Sequence, residues 1–385
     1  MTDPPSSIPI VDREAALHDE TFMARALRLA ALGRHASPNP MVGCVLTDIH
    51  GVKVSEGYHV APGMRHAEAD ALYKLPSGIA PHTAYVTLEP CSHYGRTPPC
   101  ADALIRAGVR QVFVAMEDPD ARVSGQGIRR LRDASVVVHV GLLESRAREL
   151  NAAYIKHRVA GLPYVTLKMA VTLDGKIATA SGDSRWISSK TSRLSVHRQL
   201  RDRCDAILTG VGTVLADDPA LNTRLRHGRN PLRVIVDSEL RTPESARVVQ
   251  MAREDGKTLF ATTKRASTKT QETFQSLGCQ IIICKEDDAG RVSLSDLLAS
   301  LGTRGDIVGV LVEAGAGIGG ALIGDKLVDR LAWYIAPKIV GSTNAPGPIG
   351  GPGVSLMADA SQWHIQNVRR CGIDIVIDAR WVECS

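Results

Sequence analysis

Three residues in the first half of the chain have the chemistry of metal ligands. His66 precedes Cys91 and Cys100, and one imidazole with two thiolates is a soft donor set suited to Zn²⁺. Three protein ligands leave a fourth coordination position open for water, as in catalytic zinc sites. Glu68 follows His66 by two residues and is not needed as a ligand, so it can carry protons from the water to a leaving group. The pattern predicts a hydrolytic zinc site with Glu68 as its catalytic acid and base.

The spacing of the two cysteines differs from that of most zinc deaminases. Those enzymes combine H-x-E with P-C-x-x-C, whereas eight residues separate Cys91 from Cys100. Two alternatives stay open on the residues alone: a tRNA or nucleoside deaminase fused to an unrelated domain, and a non-catalytic zinc module joined to a ligand-binding domain. A structural zinc site needs a fourth protein ligand, for which His59 or His93 could serve. The net charge of +1 over residues 1–158 argues against nucleic acid, because such sites need a basic footprint.

A glycine run in the second half predicts a phosphate-binding turn. Gly315, Gly317 and Gly320 match G-x-G-x-x-G between a predicted strand and a predicted helix, the context of a dinucleotide site. The carboxylate that a Rossmann fold needs about 20 residues later is missing, and the glycines come late in the domain. A simple Rossmann fold is therefore disfavoured, and a helix–strand packing turn is the alternative for these glycines. No nucleophile or proton relay is evident in this half, which fits hydride transfer by a bound cofactor.

The elements that must position these residues are aliphatic strands alternating with helices, in two series. In the first series, strands are predicted at 41–47, 52–58, 84–88, 111–116 and 136–140, and helices at 20–33, from 66, at 101–108 and at 127–132. In the second series, strands are predicted at 164–170, 206–209, 232–236, 258–261, 280–284, 308–312 and 331–335, and helices at 191–203 and 294–300. This order predicts two α/β domains, 1–158 and 159–385, the first of them with three layers.

Composition excludes several classes of protein. The 385 residues carry a net charge of +5 and are 44% hydrophobic, which excludes a disordered chain and a polycationic binder of nucleic acid or membranes. The eight cysteines are too few and too scattered for a disulfide scaffold. No secretory signal or membrane-spanning stretch is evident in the sequence. We expect a cytoplasmic homo-oligomer that binds neither nucleic acid nor membranes.

The motifs around these residues resemble those of a known family. TLEPCSHYGRTPPC, with HAE and SPNPMVGCV upstream, resembles the deaminase half of the bifunctional deaminase–reductases of riboflavin biosynthesis, which use the wider cysteine spacing. The segments 167–188, 206–224 and 311–323 resemble the reductase half, so the resemblance covers almost the whole chain. It implies a cytidine-deaminase-like three-layer α/β/α domain followed by a dihydrofolate-reductase-like α/β domain.

The resemblance also implies two cofactors, a substrate and their contacts. The first domain would bind one Zn²⁺ through His66, Cys91 and Cys100 and, with Glu68 as proton donor, deaminate 2,5-diamino-6-(5-phosphoribosylamino)pyrimidin-4-one, a small phosphorylated pyrimidine. The second would reduce its ribosyl group to ribityl with NADPH. Implied substrate contacts in the first domain are Asn39, His93, Arg96 and Asp118. Implied cofactor contacts in the second domain are Ala170, Trp186, Thr213, Asp217, Gly315, Ala316, Gly317, Ile318, Gly319, Gly320 and Ala321. Implied substrate contacts there are Ser184, Arg201, Leu221, Arg224 and Glu313.

Simple chemistry supports some of these roles and leaves others open. Arg201 and Arg224 can bind a phosphate with charge-assisted hydrogen bonds, although arginines more often form ion pairs at the surface. Asp217 could instead serve a turn or a helix cap. Trp186 could be an ordinary core residue.

Overall fold

Two separate β-sheets, of five and nine strands, organise the chain. The computed structural model describes residues 10–93 and 98–382. Their internal contacts divide them into two units, with the division after Ala160. Arg96, one of the predicted substrate contacts, and Cys384 lie outside the described residues.

The sheet of the first unit is mixed. Its strands are β1 (Gly43–Thr47), β2 (Lys53–Tyr58), β3 (Thr83–Val86), β4 (Gln111–Val114) and β5 (Val137–Val140). The strand order is β2-β1-β3-β4-β5, in which β1 is antiparallel to both neighbours and β3, β4 and β5 are parallel. The helices are α1 (Ile10–Ala30), α2 (Ala67–Tyr73), α3 (Cys100–Arg106), α4 (Gln126–Asp133), α5 (Glu144–Leu150) and α6 (Ala152–Ala160).

Two glycines let helices approach both faces of this sheet. A Cβ on Gly43 would lie 2.0 Å from the carbonyl oxygen of Ala26 in α1, and one on Gly57 would lie 2.4 Å from the backbone nitrogen of Ala71 in α2. Gly57 pairs with Cys44, the neighbour of Gly43, so the two contacts lie on opposite faces because side chains alternate along a strand. Helices α1 and α2 therefore cover opposite faces, and the predicted three-layer arrangement is confirmed.

The sheet of the second unit is mostly parallel. Its strands are β6 (Tyr164–Thr172), β7 (Ala206–Gly210), β8 (Leu232–Val236), β9 (Thr258–Thr262), β10 (Gln280–Ile283), β11 (Gly309–Val312), β12 (Arg330–Ala336), β13 (Trp363–Cys371) and β14 (Asp374–Trp381). The order is β10-β9-β8-β7-β11-β6-β12-β14-β13, with parallel pairing from β10 to β12 and antiparallel pairing for the last two strands. The helices are α7 (Lys190–Val196), α8 (Val211–Asp217), α9 (Arg247–Asp255), α10 (Thr268–Ser276), α11 (Leu294–Thr303) and α12 (Ala316–Gly324).

This sheet has an apolar core on each of its faces. Ala206 and Leu208 of β7 belong to one cluster of buried side chains, and Ile207 between them belongs to another. Alternation along the strand places the clusters on opposite faces, as expected for parallel strands covered on both sides. The aliphatic runs seen in the sequence reflect this double burial.

The structure confirms the predicted strands and corrects three other features. Helix α1 begins at Ile10 rather than at residue 20. The helix predicted at 191–203 changes to a π-helix over His197–Arg201. The C-terminal hairpin of β13 and β14 was not predicted, because most of β13 is exposed and polar and therefore lacks an alternating pattern.

Among the residues that the structure describes, no helix is both long enough and apolar enough to cross a membrane.

Candidate active sites

The first site is formed where two helices of the first unit begin. His66 is the residue before α2, and Cys100 is the first residue of α3. His66 Nδ1 lies 3.6 Å from Cys91 Sγ and 3.4 Å from Cys100 Sγ, and the three candidate ligand atoms all lie within 4.8 Å of one another. With Zn–N near 2.0 Å and Zn–S near 2.3 Å, a tetrahedral site has an N–S edge of about 3.5 Å. The geometry therefore suits Zn²⁺.

The two thiols differ in how readily they lose a proton. Hydrogen bonding with Cys100, and then with His66, lowers the pKa of Cys91 to about 4 despite its burial. The backbone N–H of Cys100 also donates to Cys91 Sγ over 3.3 Å. The same pairing with Cys91, together with burial, raises the pKa of Cys100. Because a metal binds thiolates, occupancy of this site requires both protons to leave.

Glu68 lies on α2 in the same cavity as His66 and Cys91. Its side chain is buried, with 3% of the residue exposed. Burial, and then the negative charge of Cys91, raises the pKa of Glu68 to about 7. A buried carboxyl group beside the candidate ligands is in position to transfer protons, as a catalytic acid and base must.

The cavity around these residues measures about 520 Å³. Asn39, His93 and Asp118, three of the four predicted substrate contacts, line it. His59 also lines it, but its Nε2 lies 3.1 Å from Asn39 Nδ2 and its Nδ1 lies 3.0 Å from the Arg65 carbonyl oxygen. Among the described residues, His66, Cys91 and Cys100 form the one candidate group of metal ligands, without His59 or His93. This result disfavours a structural site with four protein ligands.

Several residues that the sequence analysis missed also line this cavity. They include Glu89, Asp120, Arg122, Tyr154 and Arg158. Glu89 offered a usable signal, because a carboxylate in the apolar run TLEP must find partners if it is buried. The other missed residues are polar residues of ordinary helices and turns, which carry no such signal.

The second site lies at the carboxyl ends of parallel strands in the second unit. It is a cavity of about 830 Å³ that reaches Ala170 near the end of β6, Gly210 at the end of β7 and Glu313 just after β11. Ligands of open α/β sheets bind at this edge. All five predicted substrate contacts line the cavity. Of the predicted cofactor contacts, the lining residues are Ala170, Trp186, Thr213, Asp217, Gly315, Gly317 and Ile318.

The glycine run divides into two parts with different surroundings. A Cβ on Gly315 or Gly317 would meet no atom within 4 Å, so this part faces open space. A Cβ on Gly320 would lie 2.0 Å from the carbonyl oxygen of Gly350, and one on Gly319 would lie 2.6 Å from Met169 Cε. The first part can approach a ligand, and the second part packs against protein.

The two remaining residues of the run, Ala316 and Ala321, do not line the cavity either. The carbonyl oxygen of Ala316 accepts a hydrogen bond of 2.9 Å from the backbone N–H of Gly350. Ala321 packs against the apolar core of the unit. The packing turn therefore describes the second part of this motif, whereas a phosphate contact at Gly315 and Gly317 stays a prediction.

A buried ion pair dominates the electrostatics of this cavity. Arg201 donates from Nε to Glu313 Oε1 over 2.7 Å and from Nη2 to Oε2 over 2.9 Å, and its Nη1 donates to the Asn222 carbonyl oxygen. Burial disfavours the Glu313 carboxylate, but the charge of Arg201 outweighs it and holds the pKa of Glu313 at about 2. Most donors of Arg201 are thus committed to protein. Arg224, in contrast, forms no ion pair with any described residue.

Two further titratable groups in this cavity were missed by the sequence analysis. Burial lowers the pKa of Lys168, on β6, against the influence of Glu313. Burial, followed by the charges of Arg201 and Arg224, lowers the pKa of His197 to about 4. His197 begins the π-helix, a distortion frequent at functional sites. Lys168 and His197 are therefore candidates for proton transfer that the sequence analysis did not identify.

Trp186 and Asp217 are held by neighbouring cations. Trp186 is 57% exposed, so it is not a core residue, and the Arg193 guanidinium lies 4.3 Å from its ring centroid. Arg185 Nη2 donates to Asp217 Oδ1 over 2.9 Å. Both side chains are presented at the cavity by protein contacts rather than buried away from it.

Comparison with known proteins identifies the family of both halves of the chain. Residues 17–116 match the family described as the cytidine and deoxycytidylate deaminase zinc-binding region, and residues 163–377 match the RibD C-terminal domain. A zinc-type deaminase region joined to a reductase domain defines the chain as a bifunctional enzyme. The chain belongs to the RibD family of riboflavin biosynthesis proteins, and so to the bifunctional deaminase–reductases.

Individual relatives match over nearly their whole lengths. The riboflavin biosynthesis protein RibD of Escherichia coli K12 is 42% identical over 94% of this chain and 99% of its own. That of Actinobacillus pleuropneumoniae is 41% identical over 94% of each chain. Among solved structures, Acinetobacter baumannii RibD has a TM-score of 0.85 and 34% identity, over 96% of this chain and 100% of that one. The second half is therefore not an unrelated domain, and the predicted fold class is confirmed.

A further solved structure names the two reactions in full. The diaminohydroxyphosphoribosylaminopyrimidine deaminase/5-amino-6-(5-phosphoribosylamino)uracil reductase of Thermotoga maritima has a TM-score of 0.83 and 32% identity. The match covers 96% of this chain and 100% of that one.

Proposed function

We propose that the first unit removes the 2-amino group of 2,5-diamino-6-(5-phosphoribosylamino)pyrimidin-4-one and that the second reduces the ribosyl group of the product to ribityl with NADPH. The observation that carries the proposal is the convergence of His66, Cys91 and Cys100 on one point beside buried Glu68. The family relationship supplies the substrate class, because the Thermotoga maritima protein is named for both reactions.

In the deaminase site, His66 Nδ1 and the two cysteine sulfurs would hold Zn²⁺. When bound, the metal acts as a Lewis acid that lowers the pKa of water. Glu68 accepts a proton from the attacking water and donates it to the 2-amino nitrogen, which leaves as ammonia while oxygen takes its place on the ring. Asn39, His93 and Asp118 contact the substrate from the cavity wall.

In the reductase site, the residues near the glycine turn would hold the dinucleotide, which supplies hydride when bound. Arg224 is placed to bind the substrate phosphate, because its guanidinium is not already paired. Opening of the ribosyl ring leaves a carbon–nitrogen double bond at C1′, so reduction requires hydride at C1′ and a proton at nitrogen. Lys168 Nζ, on the cavity wall, can hold this proton.

One experiment tests both reactions. Purified protein loaded with zinc is incubated with the phosphorylated diaminopyrimidine, with and without NADPH, and the products are read by mass spectrometry. Without NADPH we expect ammonia and a product in which oxygen replaces one amino group. With NADPH we expect a second product that is heavier by two hydrogens. Deamination of cytidine or RNA in place of this compound would overturn the proposal, and reduction with NADH but not NADPH would overturn the cofactor assignment.

We also propose that the enzyme is cytoplasmic, forms a homo-oligomer and binds no nucleic acid. The near-neutral charge of residues 1–158 supports the last point. Light scattering of the purified protein, cell fractionation and an RNA-binding titration test these three statements separately.

A further inference from the structure

We propose that Glu89 is a positioning residue of the deaminase site. Its carboxylate holds residues 118–128 against the chain segment that leads into Cys91, and so fixes one wall of the substrate cavity. The inference rests on the proposed deamination of a phosphorylated pyrimidine. Glu89 does not belong to the group of metal ligands, and the mechanism above assigns it no step.

The carboxylate of Glu89 is buried, with 6% of the residue exposed, and all its partners in this segment are backbone amides. Oε2 accepts from the N–H groups of Asp118 (3.1 Å) and Gly125 (2.9 Å), and Oε1 accepts from those of Gly127 (2.8 Å) and Ile128 (3.3 Å). Hydrogen bonds to an ionised acceptor are stronger than those between neutral groups. One side chain therefore joins both ends of the segment.

The same carboxylate completes the start of helix α4. Gly125 precedes this helix and has no side chain that could cap it. The N–H groups of Gly127 and Ile128, which have no acceptor within the helix, donate to Glu89 instead. A negative charge at this position is also favoured by the helix dipole. Glu89 thus acts as a cap supplied from another part of the chain.

Two glycines of the segment are required, one for its backbone conformation and one for a close approach. Gly125 has a φ of +73°, a conformation that other residues rarely adopt. A Cβ on Gly127 would lie 1.9 Å from the carbonyl oxygen of Pro90, the residue between Glu89 and Cys91. Gly127 is therefore required by packing against the loop that bears a metal ligand, and Gly125 by its backbone conformation.

The fastened segment supplies the cavity with groups that are distinct from the zinc ligands. Asp118, Asp120, Arg122 and Val123 all line the cavity. Their positions are linked, because the Asp120 N–H donates to Asp118 Oδ1 over 2.9 Å and Arg122 donates to Asp120. The metal ligands and Glu68, in contrast, lie at the start of α2, at the start of α3 and in the chain before α3. Loosening the segment should therefore weaken substrate binding more than proton transfer.

The backbone of Glu89 has a separate support. Its N–H donates to the Met116 carbonyl oxygen over 3.0 Å, and Cys91 O accepts from the Ala101 N–H over 3.2 Å. These bonds do not involve the Glu89 side chain. A change confined to the carboxylate should consequently leave Cys91 in place and zinc bound.

The test is Glu89→Gln in the full chain loaded with zinc. Glutamine keeps the size of the side chain, but its NH2 group would face two of the four N–H donors. We expect the KM for the phosphorylated diaminopyrimidine to rise about tenfold with kcat changed far less, corresponding to the loss of charge-assisted bonds. Zinc per chain and reductase activity should be unchanged. Hydrogen exchange should become faster at the amides of Asp118, Gly125, Gly127 and Ile128.

Glu144→Gln is the matched control, because Glu144 is a partly exposed residue of the same unit whose partner is Arg148. It should leave KM and exchange unchanged. Glu89→Asp is the second variant: it keeps the charge but is too short to reach all four amides, so its KM should lie between those of wild type and Glu89→Gln. It is used in the same assays if Glu89→Gln does not fold.

Wild-type KM and wild-type exchange in a folded Glu89 variant would overturn the proposal. Loss of zinc would overturn it as well, because Glu89 would then support the metal loop rather than the 118–128 segment. If the wild-type enzyme does not deaminate this substrate, the proposed function fails, and the exchange rates of the four amides still decide the role of Glu89.

Discussion

The two cavities of this enzyme hold their charged groups in different ways. In the deaminase site, two sulfurs lie 3.6 and 3.4 Å from the same imidazole nitrogen, an arrangement completed by a cation. In the reductase site, Arg201 and Glu313 already neutralise each other with two hydrogen bonds. The first site thus depends on an added ion, whereas the second is organised by protein charges.

This difference determines what a substitution can reveal. A substitution of Glu68, which is not a ligand, should abolish proton transfer without releasing the metal. A change in the ion pair of the reductase site leaves a buried charge unpaired, which is costly, and therefore alters stability as well as binding. Variants at Glu68 should consequently affect catalysis alone, whereas variants of the ion pair should affect both binding and stability.

The largest effect is expected for Glu68→Gln. The amide cannot transfer the proton, so kcat for deamination should fall by about 10² to 10⁴-fold, while zinc stays bound because the three ligands are intact. Ammonia release and metal analysis measure the two quantities, and reductase activity on deaminated substrate serves as the control. Retention of most activity, or loss of zinc, would contradict the role given to this carboxylate.

The ion pair predicts an acid-dependent loss of stability in the second unit. Glu313 has a pKa of about 2 in the folded chain instead of about 4.5, so its contribution to stability is complete above pH 4.5 and declines as the pH falls towards 2. At pH 7 this shift corresponds to about 3 kcal/mol. In urea unfolding of the reductase unit, the difference in the free energy of unfolding between wild type and Glu313→Gln should be larger at pH 7 than at pH 3. An equal difference in the free energy of unfolding at both pH values would contradict this role of the ion pair.

Arg224→Ala should affect binding without disturbing this ion pair. Loss of a charge-assisted contact to the phosphate should raise the KM for the reductase substrate about 10 to 100-fold, with little change in the KM for NADPH. Arg226→Ala is the matched control, since Arg226 is exposed and does not line the cavity. Equal effects of the two variants would remove Arg224 from the phosphate site.

The smallest effect is expected from a pair of valine variants in the glycine run. Gly317→Val adds a side chain in open space beside the cavity, so the protein should fold normally and the KM for NADPH should rise about tenfold. Gly320→Val would collide with the backbone of Gly350 and should lower the melting temperature. Unchanged NADPH binding in folded Gly317→Val would leave this turn with a packing role alone.

The two sites also differ in how far their residues could be predicted from the sequence. His66, Cys91 and Cys100 are recognisable because their residue types are rare and lie close together in the chain. Lys168 is a single charge within an apolar strand, and only the folded sheet shows that it reaches a cavity. The glycines cannot be sorted by sequence either, because Gly320 packs against Gly350, a distant residue.

The strand order of the second unit has a consequence for the order of events during synthesis. Strand β6 has β11 and β12 as its two neighbours, and both are made much later, whereas the first sheet is complete once Val140 has left the ribosome. The deaminase unit can therefore fold before the neighbouring strands of β6 have been made. Pairing between strands that are distant in sequence is slow and cannot begin before both strands have been synthesised. We expect nascent chains stopped at residue 300 to contain a protease-resistant first unit and a digestible remainder. The nascent chain would then consist of a folded deaminase unit joined to an incomplete sheet that is prone to aggregation.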